Sequence, residues 1–389
     1  MTLVLVDGRG ALLGALPPFE VERPWWPEVE EIVAGARKRW DADVQVLRFL
    51  RADRPVPNGG HVTYLAELSG DPESLPLVGA EADLGPQPRR AIYAEPGGPA
   101  ASMRWAVDAL AALGTPGATA TQTKTWNLSA IWRLDAAGAP VAWLKQVPEF
   151  FAHEAAVLGL VGGVAPGLVP PVLAADQHGR TLLAHVPGED RFEAGADFCE
   201  QVAEDFHQVQ AHFAGRVDEL LAAGVPDGRP DPAAYARLAE PFHRSLDGLA
   251  QLIDGLPDRL AAAAACGLPD TLVHGDLHPG NVRSEGEGDM RVIMDWGDAT
   301  VASPVFDIIR LAEGLDDRAP LIDAWERRWR ETTPGSDPRR ALELLRPVSE
   351  LRAAAAYAAF LDHIEPAEWP YHAADVPDRL GAAVRRALP

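Results

Sequence analysis

The stretch from residue 272 to residue 307 constrains the fold of this chain more than any other part. Its sequence is LVHGDLHPGNVRSEGEGDMRVIMDWGDATVASPVFD. A short apolar run leads into a loop that contains Asp276 and Asn281, and a second apolar run, residues 291–294, ends at Asp295. Runs of this length bounded by turn residues predict short strands. We therefore expect two carboxylates and one amide to emerge on the same rim of a β-loop-β unit.

Two carboxylates and an amide in this arrangement suit phosphoryl transfer from a nucleoside triphosphate. One carboxylate can take the proton of an attacking hydroxyl, while the amide oxygen and the other carboxylate hold magnesium on the phosphates. The rest of the chain can be interpreted by what such a unit needs.

The charge balance is strongly acidic, with 35 basic and 57 acidic residues and a formal net charge of −22. A surface of that sign repels nucleic acid and anionic lipid and attracts cations. We expect no nucleic-acid or membrane partner. A cationic substrate is one interpretation of the charge, and solubility alone is the other.

The N-terminus and the cysteines predict a cytoplasmic protein. The first residues, MTLVLVD, lack a basic segment and reach Asp7 too early for a signal peptide. The apolar runs are all shorter than the ~20 residues of a membrane span. Two cysteines, Cys199 and Cys266, fit a reduced compartment better than a disulfide framework.

Breaker clusters predict three domains. Residues 1–98 read as a small α/β cap that ends at the PGGP sequence of 96–99, and residues 99–187 as a β-rich unit with strands at 125–135, 140–147, 170–174 and 181–189. The Pro-Gly pair at 187–188 is expected to form a hinge. Residues 188–389 predict a helical domain with helices over 196–223, 235–252, 258–265, 308–315, 320–331, 338–362 and 376–388.

Lys145 and Glu154 form a second candidate pair. Lys145 lies inside the apolar strand 142–147, and Glu154 shares a helix face with Leu158. A carboxylate buried there needs a cationic partner, and Lys145 is the nearest lysine in sequence. A solvated glutamate favoured by the helix dipole is the alternative.

Taken in order, Lys145, Glu154, the hinge at 182–188, the HGDxxxxN pattern of 274–281 and Asp295 resemble the aminoglycoside phosphotransferase and choline kinase family. The resemblance covers about residues 100–389, and the sequences IMDWGDA at 293–299 and PVFD at 304–307 continue it. It implies an α+β, bilobal, protein-kinase-like fold with a small β-rich N-lobe and a larger helical C-lobe. The N-terminal α/β cap is extra to that fold.

The resemblance also implies roles for the individual residues. Asp276 is expected to act as general base, and Asn281 and Asp295 to coordinate Mg²⁺. Lys145 is expected to bind the ATP phosphates and to be positioned by Glu154. The main chain of Ala184, His185 and Val186 is expected to bind adenine. His274 and Asp307 are expected to support the loop.

Two departures from the family pattern stand out. Residues 121–129, where the phosphate-covering loop belongs, contain no glycine. Side chains of Ser129, Asn127 or Lys124 are expected to substitute for the backbone amides of such a loop. Some bacterial sugar and amino-sugar kinases that resemble this family carry an N-terminal cap, which favours a saccharide acceptor.

The predicted function is therefore an ATP-dependent O-phosphotransferase, a small-molecule kinase. The preferred acceptor is an aminoglycoside-like molecule or an amino sugar, with neutral sugars, choline-like alcohols and homoserine-like amino acids as alternatives. A non-catalytic nucleotide-binding regulator is the alternative from another class. A protein kinase is disfavoured, because the chain runs from Asp295 to Asp307 without an activation segment.

Candidate acceptor contacts are Asp298, Asp316, Asp317, Glu350, Tyr357 and Trp369. The sequence does not distinguish which hydroxyl is modified, whether ATP or GTP is the donor, or what the oligomeric state is. It also fits a role in antibiotic resistance or in metabolism.

Overall fold

The computed structural model describes residues 1–286 and 291–387, which form two compact units. The first unit consists of Met1–Ala152, Val172–His185 and Ala359–Ala374. The second consists of His153–Pro171, Val186–Ala358 and the residues from Asp375 onward. The predicted division into three domains at residues 98 and 187 stays a prediction. The last residue of the helix expected over 376–388 lies outside the described residues.

An N-terminal sheet with the strand order β2-β1-β4-β3 opens the first unit. Strands β1 and β2 pair antiparallel and are joined by a turn around residues 7–10. Strand β1 also pairs with β4 in parallel, which local sequence did not predict. The elements are β1 Thr2–Val6, β2 Leu12–Ala15, the helix α1 Glu30–Trp40, β3 Asp43–Ala52 and β4 Val62–Ser69.

A second, antiparallel sheet follows the helix α2 Gly98–Ala112. Its strand order is β5-β6-β7-β9-β8. The strand predicted over 125–135 is wrong at its start, because the chain turns at 126–129 and the preceding TATQTKT segment is itself a strand. The strands are β5 Thr119–Thr125, β6 Ala130–Ala136, β7 Ala139–Gln146, β8 Val172–Ala175 and β9 Arg180–Ala184.

Gln122 joins these two sheets. Its amide oxygen accepts a hydrogen bond from Val46 N, and its amide nitrogen donates to Val46 O, both at 2.8 Å. Gln122 and Val46 both sit at register shifts in their strands, where ladder groups are left without a strand partner. The fully buried amide therefore satisfies both main-chain groups of Val46.

Residues 359–374, which we call the return segment, also belong to the first unit. The Tyr371 ring packs in the aromatic core with Trp26 and Phe49, at centroid distances of 5.8 and 5.5 Å. The Arg90 guanidinium donates to both oxygens of Glu365 at 2.9 Å. Burial and the neighbouring Glu365 raise the pKa of Glu368 to about 8, so Glu368 remains mainly protonated at neutral pH.

The second unit is mainly helical. The single helix predicted over 196–223 is wrong, since it is interrupted at Gly215, which has a φ of +72° that L-residues with side chains rarely adopt. The helix predicted over 235–252 is likewise interrupted before Gly248. The helices are α3 Glu154–Val164, α4 Ala196–Phe213, α5 Val217–Ala222, α6 Pro232–Ala239, α7 Leu249–Asp254, α8 Leu256–Ala264, α9 Val305–Leu311, α10 Ala319–Thr332, α11 Pro338–His363 and α12 Asp375–Ala387.

Short strands frame the loop that contains Asp276. Strand β11 pairs with β14, while β12 pairs with β10 and β13, so the two predicted apolar runs do not pair with each other. The strands are β10 Glu189–Asp190, β11 Thr271–Val273, β12 Val282–Ser284, β13 Val292–Ile293 and β14 Thr300–Ala302. Throughout the described ranges, the helices are too short or too polar to cross a membrane.

Candidate active site

The loop of residues 274–281, which we call the catalytic loop, is anchored by the carboxylate of Asp307. Asp307 lies in the first turn of α9 and is 2% exposed. Its Oδ2 accepts hydrogen bonds from His274 N at 3.0 Å and Gln210 Nε2 at 2.9 Å, and its Oδ1 accepts from Gly275 N at 3.0 Å. Burial raises the pKa of Asp307 to about 6 against the effect of these donors. Asp307 therefore lies next to the catalytic loop and is hydrogen-bonded to two of its amides.

His274 connects the catalytic loop to the end of β13. Its Nε2 donates to Met294 O at 2.9 Å, and its Nδ1 accepts from Asp276 N at 3.3 Å. Complete burial lowers the pKa of His274 to about 4, so the ring is neutral at physiological pH. A neutral imidazole with its proton on Nε2 satisfies both bonds, and this fixes Asp276 relative to the residue before Asp295.

Gly275 is required by a close approach of the main chain. Its φ is +88°, and a Cβ at this position would lie 2.2 Å from Asp298 O. Any side chain here would push the loop away from the turn that follows β13. The glycine of the HGD sequence therefore has a packing reason.

Asp276 lies among three polar side chains. Arg310 Nε donates to Oδ1 at 2.6 Å, Asn281 Nδ2 lies 3.3 Å from Oδ2, and His278 Nε2 lies 3.6 Å from Oδ2. His278 accepts from Gly280 N at its Nδ1, which directs Nε2 toward Asp276. Burial alone would raise the pKa of Asp276, but His278 and Arg310 outweigh it and hold this pKa well below its usual value. Asp276 is therefore ionised at neutral pH.

Asn281 and Asp295 are brought to adjacent backbone positions. Met294 N donates to Asn281 O at 2.8 Å, and Asn281 Nδ2 donates to Asp276 O at 3.0 Å. Asp295 has the left-handed angles φ 60° and ψ 64°, a strained conformation that often occurs at functional sites. The next amide, Trp296 N, donates to the buried Glu154 Oε1 at 3.0 Å.

These residues fit a magnesium ion that is shared with phosphates. The bonds from Asn281 Nδ2 to Asp276 orient the amide so that its oxygen faces away from Asp276, and Asp295 contributes an exposed carboxylate. Mg²⁺ prefers such oxygen ligands and binds through one or two protein groups together with phosphates and water. In the described parts of the chain, three or more His, Cys, Asp or Glu side chains do not form a metal-binding group.

A chain of ion pairs extends from Asp276 to the C-terminal helix, and sequence analysis missed it. Arg310 Nη1 lies 2.7 Å from Glu313 Oε2, and Glu313 Oε1 lies 2.9 Å from Arg386. Arg386 also lies 2.7 Å from Glu350, whose other oxygen is 3.1 Å from Arg379. Arg310 follows Asp307 by three residues on α9, a spacing that places both side chains on one helix face and could have predicted this contact.

The other predicted nucleotide contacts are placed as follows. Lys145 lies on β7 and is 9% exposed. Ser129 is buried and its Oγ accepts from Trp126 Nε1 at 3.0 Å. Ala184 ends β9, His185 N donates to Val141 O at 3.0 Å, and Val186 O accepts from Arg283 Nε at 2.9 Å. Their roles toward ATP stay predictions.

The predicted acceptor contacts differ in their burial. Glu350 is buried with both oxygens paired to arginines, and Trp369 belongs to the first unit, where its Nε1 donates to Leu361 O. Tyr357 is partly buried on α11, and burial raises its pKa. Asp298 is partly exposed, whereas Asp316 and Asp317 are exposed.

Comparison with known proteins gives a family and a fold. A model of the phosphotransferase enzyme family matches residues 122–344, more than half of the chain. Curated proteins gave no significant match to the sequence.

Solved structures of three kinases share the fold. The choline kinase LicA from Streptococcus pneumoniae has a TM-score of 0.53 and 12% identity, over 73% of this chain and 97% of its own. A choline/ethanolamine kinase family protein from Mesorhizobium loti has a TM-score of 0.51 and 17% identity, over 74% and 95%. An ethanolamine kinase from Plasmodium vivax has a TM-score of 0.50 and 12% identity, over 70% and 83%. Identities this low show the fold alone.

We predict that Asp307→Asn lowers the free energy of unfolding by about 2–4 kcal/mol at pH 7.5. Both carboxylate oxygens accept hydrogen bonds from N–H groups, and the NH2 group of an asparagine would face one or more of these donors without an acceptor. Chemical denaturation measures the change. Asp247→Asn at an exposed position is the control and should change the stability by less than about 0.5 kcal/mol. Equal stabilities of the two variants would show that Asp307 does not anchor the loop.

Proposed function

Because the chain belongs to the phosphotransferase enzyme family, we propose that it transfers the γ-phosphoryl group of ATP to a hydroxyl of a small molecule. The chain is thus a small-molecule kinase, and its cytoplasmic location is part of the proposal. The observation that carries the proposal is the catalytic loop, in which Asp276 and Asn281 are hydrogen-bonded to each other and Asp307 anchors both ends of the HG dipeptide.

Asp276 is proposed to orient the acceptor hydroxyl and to receive its proton. The hydroxyl oxygen forms a bond to the γ-phosphorus, the bond from that phosphorus to the bridging oxygen breaks, and ADP leaves. A carboxylate with a low pKa is a weak base, so the proton is transferred late, after most of the phosphoryl transfer. Orientation of the nucleophile is then the main contribution of Asp276.

Asn281 and Asp295 are proposed to hold Mg²⁺, which neutralises phosphate charge when it is bound. Glu154 keeps the backbone after Asp295 in place through Trp296 N. The roles of Lys145 on the phosphates, and of the main chain at Ala184, His185 and Val186 on adenine, are carried over from the family pattern. Ser129 is part of the same proposal for the phosphates.

An amino sugar or aminoglycoside-like molecule remains the first proposed acceptor, on the strength of the net charge of −22 and the exposed Asp316 and Asp317. One observation favours a second class, the neutral sugars or homoserine-like amino acids. Arginines pair with the carboxylates of Asp276, Glu313 and Glu350, so these groups are already neutralised within the protein. Carboxylates that are already paired with arginines attract a cationic acceptor only weakly.

An acceptor screen with the purified protein tests the function directly. We expect ATP- and Mg²⁺-dependent phosphorylation of one class in a panel of aminoglycosides, amino sugars, neutral sugars, choline and homoserine, detected by mass spectrometry. Asp276→Asn should lower kcat by about 10²–10⁴-fold, because a neutral amide orients the acceptor hydroxyl less strongly than a carboxylate and cannot accept its proton. Asp258→Asn on the exposed face of α8 is the control. A near-normal kcat in Asp276→Asn would show that Asp276 has no catalytic role.

We predict that Arg310→Met shifts the acidic limb of the kcat/KM profile to higher pH. Arg310 and His278 both lower the pKa of Asp276, so this pKa rises when the guanidinium is removed, and an acid with a higher pKa is protonated over more of the acidic range. On the acidic limb we expect a loss of about tenfold relative to wild type. Arg310→Lys keeps the charge and should recover part of the activity, and Arg318→Met at an exposed position is the control. Superimposable profiles for wild type and Arg310→Met would contradict the proposed role of Arg310.

A further inference from the structure

The turn between β5 and β6, residues 126–129, contains no glycine and is closed by two hydrogen bonds. We call it the hairpin tip. Trp126 N donates to Ser129 O at 2.9 Å, and Trp126 Nε1 donates to Ser129 Oγ at 3.0 Å. A main-chain bond and a side-chain bond thus close the same turn, which leaves it little conformational freedom.

The return segment holds the hairpin tip from one side. Asn127 Oδ1 accepts a hydrogen bond from His372 Nε2 at 2.9 Å, and both residues are about nine-tenths buried or more, with 5% and 3% exposure. The Trp126 ring contacts Tyr371 and His372 at centroid distances of 5.8 and 5.5 Å. Burial lowers the pKa of His372 to about 4, so the ring is neutral and donates a single hydrogen bond through Nε2 to the Asn127 oxygen.

The N-terminal residues hold the same hairpin from other sides. Thr125 N donates to Pro27 O at 2.9 Å, and Val29 N donates to Thr123 O at 3.0 Å. The Tyr93 hydroxyl donates to Trp126 O at 2.8 Å. Thr123, Thr125 and Trp126 are therefore bonded to two segments that precede the second sheet in sequence, residues 27–29 and Tyr93.

These contacts use the side chains that were expected to replace glycine amides. Asn127 Oδ1 is engaged by His372, and Ser129 Oγ by Trp126. A tip held in this way differs physically from a glycine loop, which orders when it binds a ligand. The entropy of ordering is lost during folding, before any nucleotide is present.

We propose that the return segment and the N-terminal residues Pro27, Val29 and Tyr93 together brace the hairpin and its tip in one conformation, and that Asn127 and His372 are positioning residues for the nucleotide phosphates. The inference rests on the proposed function for its nucleotide part. It gives residues 1–98 and the return segment a shared task, which is to replace the adaptability of a glycine-rich loop by a preformed shape.

Two substitutions of His372 test the brace by hydrogen exchange and mass spectrometry without nucleotide. His372→Phe keeps a ring but removes the donor to Asn127, and we expect the amides of residues 123–130 to exchange at least about tenfold faster. His372→Gln places an amide nitrogen near the position of Nε2 and should restore protection. His363→Phe, the same substitution at an exposed site that stacks on Phe150, should exchange like wild type in this region.

Calorimetric titration of a non-hydrolysable ATP analogue with Mg²⁺ tests the nucleotide part. We expect the Kd to rise by about tenfold in His372→Phe and to return toward wild type in His372→Gln. If His372→Phe does not fold, Tyr93→Phe removes the hydroxyl bond to Trp126 O and should increase exchange of the same amides.

Unchanged exchange at residues 123–130 in these variants would overturn the brace. Faster exchange with an unchanged Kd would overturn the positioning role of Asn127 and His372. If the wild-type protein bound no nucleotide, the proposed function would fail, while the exchange result would still decide whether the brace exists.

Discussion

The buried carboxylate of Asp307 is the constraint on which the candidate active site depends. Ionising an acid away from water is unfavourable, and the raised pKa of Asp307 expresses that cost. Three donors compensate it, and two of them are consecutive amides of the catalytic loop. Because these amides belong to His274 and Gly275, their positions also determine where the His274 ring reaches, and that ring bonds to Met294 O next to Asp295. One side chain thus helps to position Asp276 and Met294, the residue before Asp295.

The chemistry of the site depends equally on charge neutralisation inside an acidic protein. Asp276 is paired with Arg310, and the ion pairs continue through Glu313 to Arg386 on α12. Alternating charges at these distances reduce the local field, so the acceptor meets an environment that is much less negative than the net charge suggests. Helix α12 is therefore part of the construction of the candidate site as well as of the fold, because Arg386 pairs with Glu313.

Sequence predicted the parts of the site that depend on local spacing. The HGD pattern placed His274, Asp276 and Asn281 on one loop, because neighbours in a short loop have few ways to separate. Arg310 was missed although its spacing from Asp307 on one helix face contained the signal. The breaks at Gly215 and Gly248 were missed because the apolar periodicity continues across them. The brace could not be predicted, since its hydrogen-bonded residues, Asn127 and His372, lie 245 residues apart and carry no local signature of pairing.

The polar strand β5 is a further element that local sequence could not predict. Its buried residues contact a second sheet, and no local pattern encodes the position of that sheet.

The central claim, that Asn281 and Asp295 form one metal site, can be tested directly. Mn²⁺ occupies oxygen-ligand sites like those of Mg²⁺ and is visible by electron paramagnetic resonance. In the presence of a non-hydrolysable ATP analogue, wild type should bind Mn²⁺, and Asn281→Ala and Asp295→Asn should each bind it at least about tenfold more weakly. Equal Mn²⁺ affinity in wild type and both variants would contradict the account.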